Sequence, residues 1–223
     1  NGFEKAVISD SANYLCSILI LAMGADPRKL EVPGEEELVG RGVSYCGTCD
    51  GPFFRGKDVV VVGGGDSALT EAIFISKFVK RLTIIHRRDK FSAEKILQKE
   101  VEANPKIVFK WNTVIEKISG KNKVEEISVR NIGDGTTDNL PCEGVFVFVG
   151  NEPNTGFLGN IFPVDAGSHV ETDHNMETSI KGVYAIGDVR KNSYRQIATA
   201  VGEGVTAAIA AEHRLAEMKK KGD

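Results

Sequence analysis

Apolar residues in this chain come in short runs, about 5–8 positions long, the length of buried strands. Turns rich in glycine, proline or charge separate them. Residues 7–10, Asn13–Cys16 and residues 17–23 read as strands. The stretch after them, with Pro27, Pro33, Gly34 and three glutamates at 35–37, changes composition and marks a domain boundary near residues 24–40. The clearest unit follows. Asp58–Val62 is an apolar strand, Gly63-Gly64-Gly65 a tight turn, and residues 67–79 a helix with apolar positions at Ala68, Ala72, Ile75 and Val79. Arg81–Ile85 is a second strand, so the segment predicts a right-handed βαβ unit with parallel strands. A helix over 93–103 and a strand over 106–111 come next. A hairpin-like pair over Thr113–Ser119 and 124–131 follows, then an apolar strand over 144–150. A second linker at 151–155 carries Pro153. Beyond it lie a strand over 182–187 ending in Gly-Asp and a long Ala-rich helix over 197–219. Strands alternating with helices predict an α/β, doubly wound fold.

Composition narrows the function classes. The 223 residues are 41% hydrophobic and 26% charged, with a net charge of −3, so no basic footprint points to nucleic acid. No apolar run approaches the roughly 20 residues a membrane span needs. The chain opens Asn1-Gly2-Phe3 without a methionine or a signal peptide, which leads us to expect a fragment or a processed chain. Four cysteines (Cys16, Cys46, Cys49, Cys142) are too few and too unevenly spaced for a secreted disulfide framework. Cys16 and Cys142 fall in apolar segments and read as inert core residues.

Residues 63–68, Gly-Gly-Gly-Asp-Ser-Ala, fit the dinucleotide-binding pattern. The first glycine permits the sharp turn, and the second lets backbone approach a pyrophosphate. The small Ala68 lets helix and strand pack closely. The helix start then offers unpaired N–H groups to phosphate. Gly63, Gly65, Asp66, Ser67 and Ala68 are the candidate contacts; the bland reading is a glycine-rich turn without a ligand. At the end of the second strand, where NAD sites carry a carboxylate, this chain has His86-Arg87-Arg88. Paired guanidiniums suit a 2′-phosphate, so NADPH is favoured over NADH. A solvated basic strand end is the alternative.

Cys46-Gly47-Thr48-Cys49 allows a small disulfide ring, and placement at a helix start would make a thiol exchange-competent. Structural zinc competes, but it calls for four ligands. No second Cys-x-x-Cys exists, and His169 and His174, at a crude ligand spacing, lie in a loop far along the chain. No metal is expected. Asp50, next to the pair, is either a turn residue or a general acid for a departing thiolate.

Taken in order, Cys-x-x-Cys-Asp-Gly at 46–51, Gly-Gly-Gly-Asp-Ser-Ala at 63–68 and His-Arg-Arg-Asp at 86–89 resemble the low-molecular-weight thioredoxin reductases of bacterial and archaeal type. Phe148-Val149-Gly150 with Pro153-Asn154-Thr155 is similar to that family's return linker. Residues 184–188 (Tyr-Ala-Ile-Gly-Asp) with Tyr194-Arg195-Gln196 are similar to its second FAD-contacting region. The resemblance spans nearly the whole chain. It implies a Rossmann-like NADPH domain inserted into a FAD domain that is incomplete here. Residues 1–25 would end the first FAD segment, 26–150 form the NADPH domain with the redox pair, and 151–223 return to the FAD domain. It implies that NADPH reduces FAD, FAD reduces the Cys46–Cys49 disulfide, and the dithiol reduces thioredoxin. Cys49 would face the flavin, Cys46 would attack thioredoxin and Asp50 would be the acid. Gly187 and Asp188 would contact FAD, with Arg195 and Gln196 near the flavin ring. A cytoplasmic homodimer, with hinges at residues 26–40 and 151–155, is implied as well. Three departures stand out: no second Gly-rich βαβ turn for the ADP half of FAD, Ser92 where a third arginine often stands, and Met23 for a common threonine. A related reductase for another thioredoxin-like or peroxiredoxin-type acceptor, or an NADPH-binding module without FAD, are the other readings.

Overall fold

Strands buried on both faces need apolar residues at every position, and Val59–Val62 meet that demand. In the computed structural model, which describes residues 4–221, they sit at the centre of a sheet. The chain divides into two units, residues 1–26 with 151–223 and residues 27–150.

The first unit opens with a hairpin, β1 (Lys5–Ile8) against β2 (Asn13–Cys16), antiparallel with Lys5 opposite Cys16. Ser9 and Ala12 close its turn, which sets the first strand two residues earlier than hydrophobicity suggests. Ile8 and Leu15 are largely exposed, so the ribbon does not supply a core, and Cys16 at its end is half-exposed rather than a core residue. Next come β3 (Leu19–Leu21) and the short β4 (Ala25–Pro27).

The second unit contains β5 (Val43–Ser44), α1 (Gly47–Asp50), β6 (Asp58–Val62), α2 (Asp66–Ser76), β7 (Arg81–Ile85), α3 (Lys95–Ala103), β8 (Ile107–Lys110), β9 (Thr113–Ser119), β10 (Glu126–Asn131), β11 (Thr137–Pro141) and β12 (Gly144–Val147). Five strands form a parallel sheet in the order β5-β12-β6-β7-β8. The antiparallel β9–β11 sheet lies in the order β11-β10-β9. Alternation decides which face each residue serves. Val59 and Val61 pack with Leu69, Ala72 and Ile75 of α2, whereas Val60 and Val62 pack with Ile115, Ile118 and Ile127 of the antiparallel sheet. The result is three layers: helices, parallel sheet, antiparallel sheet. Cys142, between β11 and β12, is buried in the second of these cores, and burial pushes its thiol up to about 12.

The chain returns to the first unit through β13 (Asn151–Pro153), which pairs with β4. Strand β14 (Val183–Ala185) runs parallel to β3, and α4 (Ile197–Lys221) closes the fold. Val183 and Ala185 face a core with Leu21, Val170 and Val189; Tyr184, on the other face, packs on Ala207 and Ala211 of α4. The mixed α/β architecture with a parallel sheet agrees with the class that the sequence predicts. Among the described residues, no helix is long and apolar enough to cross a membrane.

Candidate active site: a disulfide turn and a glycine turn in one unit

Strand β5 ends at Ser44, and Cys46 caps the short α1. Cys46 and Cys49 are joined in a disulfide with their Cα atoms 5.3 Å apart, which takes both sulfurs away from any metal. The backbone N–H of Cys49 points at Cys46 Sγ, 3.1 Å away. Cys49 is exposed and Cys46 half-buried.

Two polar residues that the motifs do not flag fix this turn. The buried Ser44 hydroxyl donates to Asp50 Oδ2 at 2.6 Å and accepts the Cys46 N–H at 3.0 Å, so one hydroxyl ties the candidate acid to the redox backbone. Glu35, almost wholly buried, accepts the N–H groups of Leu30 and Glu31 and the Tyr45 hydroxyl. Burial, and then the Glu35 carboxylate, push the Tyr45 phenol up from its ordinary range, so it stays a proton donor to Glu35. No sequence signal marks Ser44 or Glu35, because each is a lone polar residue in a loop or at a strand end.

The glycine turn lies 13 residues beyond Asp50, counting 50 to 63. Gly63 has φ +146°, and a Cβ there would stand 2.6 Å from that of Ala68 and overlap the Phe148 carbonyl. A Cβ on Gly64 would overlap the His86 ring. Helix α2 begins after Gly65 with no side-chain cap, and Asp66 and Ser67 are exposed. Its first N–H groups are therefore open to an anion, as the pyrophosphate reading requires. Ser92, the departure at the third-arginine position, has its own part: its N–H and hydroxyl both donate to the Gly64 carbonyl, at 2.9 and 3.2 Å. Asp66 Oδ1 accepts the Glu94 N–H at 2.7 Å, so the loop after the arginines is pinned to the turn at two points. Arg87 and Arg88 are exposed, and neither joins an ion pair among the described residues. This side of the site fits NADPH: open helix amides for the pyrophosphate, and two available guanidiniums for the 2′-phosphate.

His86 sits elsewhere than beside the arginines. Its ring is buried beneath Gly64, with Phe91 at 5.8 Å and Trp111 at 6.2 Å between centroids, and Nε2 is buried without a hydrogen-bond partner. Burial, then the charges of Arg88 and Arg87, hold its pKa below the ordinary 6.5. A base whose folded pKa is depressed gives stability that is whole above its unfolded pKa and is lost as acid protonates the unfolded chain. Thermal melting should therefore fall as pH drops below 6.5. His86→Phe, which keeps a ring under the turn, should flatten that slope; a profile parallel to the parent's would remove His86 from this role.

In the first unit, Gly187 follows β14 with φ +71° and donates its N–H to Glu203 Oε2 at 2.6 Å. Glu203 also pairs with Arg190, which bonds Thr172. Asp188 accepts the Ser193 hydroxyl at 3.3 Å. Arg195 takes a left-handed conformation (φ +53°) just before α4, and Gln196 O accepts the Ala200 N–H of that helix. The Gly-Asp turn thus lies at the carboxyl end of a parallel strand, where doubly wound sheets bind ligands. Those residues fit one half of a dinucleotide such as FAD. Glu203, which anchors the turn, lies inside the Ala-rich helix, and nothing in the local sequence points to it.

Known proteins give the geometry a family context. The model of the pyridine nucleotide-disulphide oxidoreductases matches residues 3–204. The thioredoxin reductase of Treponema pallidum is 44% identical over 205 residues, covering 92% of this chain and 66% of that protein. The thioredoxin reductase of Bacillus subtilis is 41% identical over 217 residues, covering 97% and 69%. The crystal structure of thioredoxin reductase from Streptococcus pyogenes superimposes with a TM-score of 0.90 at 44% identity, covering 97% of this chain and 71% of that one. The chain spans about two thirds of the length of these relatives.

Proposed function

Because the chain belongs to the thioredoxin reductases, within the pyridine nucleotide-disulphide oxidoreductase family, we propose that Cys46–Cys49 hands electrons from NADPH to a thioredoxin disulfide. The cofactors of these enzymes are FAD and NADPH. FAD, when bound, carries two electrons from the nicotinamide to the disulfide. The protein does the positioning. The open N–H groups after Gly63 and Gly65, at Asp66, Ser67 and Ala68, receive the NADPH pyrophosphate, and Arg87 and Arg88 take the 2′-phosphate. His86 supports the turn from below. Gly187, Asp188, Arg195 and Gln196 hold the flavin side. Asp50, oriented by Ser44, protonates the thiolate that leaves as the mixed disulfide resolves. In this reading residues 27–150 are the NADPH-binding and dithiol lobe, and the other unit is the FAD lobe.

Cys46, whose sulfur lies 3.1 Å from the Cys49 N–H that would stabilise its thiolate, attacks the acceptor, and Cys49 faces the flavin. The working unit in this reading is a homodimer, as the family resemblance implies. A reducing cytoplasm fits an enzyme that must keep its substrate's thiols reduced.

The observation that carries the proposal is the formed disulfide and the uncapped glycine turn within one unit. The test is NADPH oxidation by the full-length holoenzyme. We expect it to depend on added thioredoxin and to accompany reversible bleaching of the flavin band. A protein that binds NADPH but purifies colourless, or that oxidises NADPH regardless of thioredoxin, would sink it.

A further inference from the structure

The redox turn rests on the same helix that starts at the glycine turn. A Cβ added to Gly47, between the two cysteines, would overlap Glu71 Oε2 and stand 2.9 Å from Ile75 Cδ1. Glu71 and Ile75 are one turn apart on α2 and form the floor under α1. A Cβ on Gly51 would stand 3.3 Å from Cγ1 of the same Ile75. Ile75 is fully buried, as a floor residue should be. A glutamate beside it is unexpected. Glu71 Oε2 is buried and makes no hydrogen bond, although the backbone N–H groups of Gly47 and Thr48 face the carboxylate. A carboxylate left in that state costs stability, so its retention calls for a use.

We propose that Glu71 is a positioning residue of the redox pair: its charge, lodged against the Gly47–Thr48 backbone, makes the Cys46–Cys49 dithiol a stronger reductant. The inference rests on the disulfide-reductase reading above and concerns the poise of that disulfide. In the oxidised turn neither sulfur is charged. Two electrons from the flavin break the S–S bond, and one proton leaves a thiol and a thiolate. The N–H groups at the start of α1 would stabilise that thiolate, the Cys49 N–H already pointing at Cys46 Sγ. Glu71 draws on the neighbouring N–H groups from the opposite side and sets a like charge beside the turn. It therefore disfavours the reduced form and leaves the oxidised form untouched. A less stable dithiol passes its electrons on more readily. Burial pushes the Glu71 carboxyl up from its ordinary range, while the Gly47 and Thr48 N–H groups favour the charged form. The other carboxylate of the turn, Asp50, is held by Ser44.

Equilibrating the full-length holoenzyme with glutathione buffers at one pH, then alkylating free thiols and weighing the protein, gives the dithiol–disulfide ratio directly. Flavin content checks folding. Glu71→Gln keeps the shape and removes the charge, and it should shift the ratio toward dithiol roughly tenfold, the size of one close charge at intermediate dielectric. Glu71→Asp, which keeps the charge, should stay nearer the parent. Gly47→Ala, which forces the carboxylate aside, should move the ratio as Gln does. A Gln variant with the parental ratio overturns the proposal, as does an equal shift in Gln and Asp. The readout needs no thioredoxin. A parent that equilibrates with glutathione but never delivers NADPH electrons would instead overturn the functional reading.

Discussion

Replacing either Cys46 or Cys49 with serine should reduce NADPH-dependent thioredoxin reduction to background, while flavin reduction by NADPH survives. The argument is one of connectivity. The disulfide is the only one among the described residues: Cys142 is buried with its thiol pushed up to about 12, and Cys16 lies in the hairpin of the other unit. Neither can substitute for a missing sulfur in α1. The proposed NADPH contacts lie on the glycine turn and at the end of β7, so a sulfur-to-oxygen change in α1 should leave them in place. The two serine variants should differ in one respect. The variant that keeps the acceptor-facing sulfur should trap a stable mixed disulfide with thioredoxin. In the proposed order Cys46 meets the acceptor and Cys49 the flavin, so the trap should form in Cys49→Ser. Stopped-flow absorbance and non-reducing gels measure the two properties. Retained thioredoxin turnover in either variant would remove the disulfide from the route.

What the sequence discloses about this protein is what is local. The run Asp58–Val62, the three glycines and the helix behind them lie within one stretch of chain, and each constrains the next through sterics. Their spacing therefore predicts the βαβ unit, with α2 ending at Ser76 rather than 79, although Val79 stays in the core. Elements too short or too polar for a pattern are invisible. β5 has two residues, β4 and β13 have three, and β11 reads Thr-Asp-Asn-Leu-Pro, an edge strand closed by proline. The same limit governs the site. Cys46, Cys49 and the glycine turn announce themselves, because chemistry dictates both residue type and spacing. Glu71, Ser92 and Glu203 act on partners that only the fold brings near, and Ser44 acts on near neighbours, Cys46 and Asp50, at a spacing no motif records. Glu71 is 24 residues from the Gly47 it touches, counting 47 to 71. Their contribution is orientation and electrostatics, for which many residue types at many spacings would serve.

Removing both guanidiniums, Arg87→Ala with Arg88→Ala, should raise the KM for NADPH about 100-fold and leave that for NADH nearly unchanged. Each charge-assisted contact contributes about 1.5–3 kcal/mol, and about 1.4 kcal/mol is tenfold in affinity. One exposed contact at the lower figure gives tenfold, and two give a hundredfold. His86 is buried under Gly64, and Ser92 spends its N–H and hydroxyl on the Gly64 carbonyl, so neither replaces an arginine. The proposed pyrophosphate contacts use backbone N–H groups of α2, which these substitutions leave in place, and that is why NADH should keep its affinity. Steady-state kinetics with both nucleotides decides the matter. Equal losses for NADPH and NADH would show that the arginines support the fold of the turn rather than read the phosphate. An unchanged KM for NADPH would move the 2′-phosphate away from the end of β7 altogether.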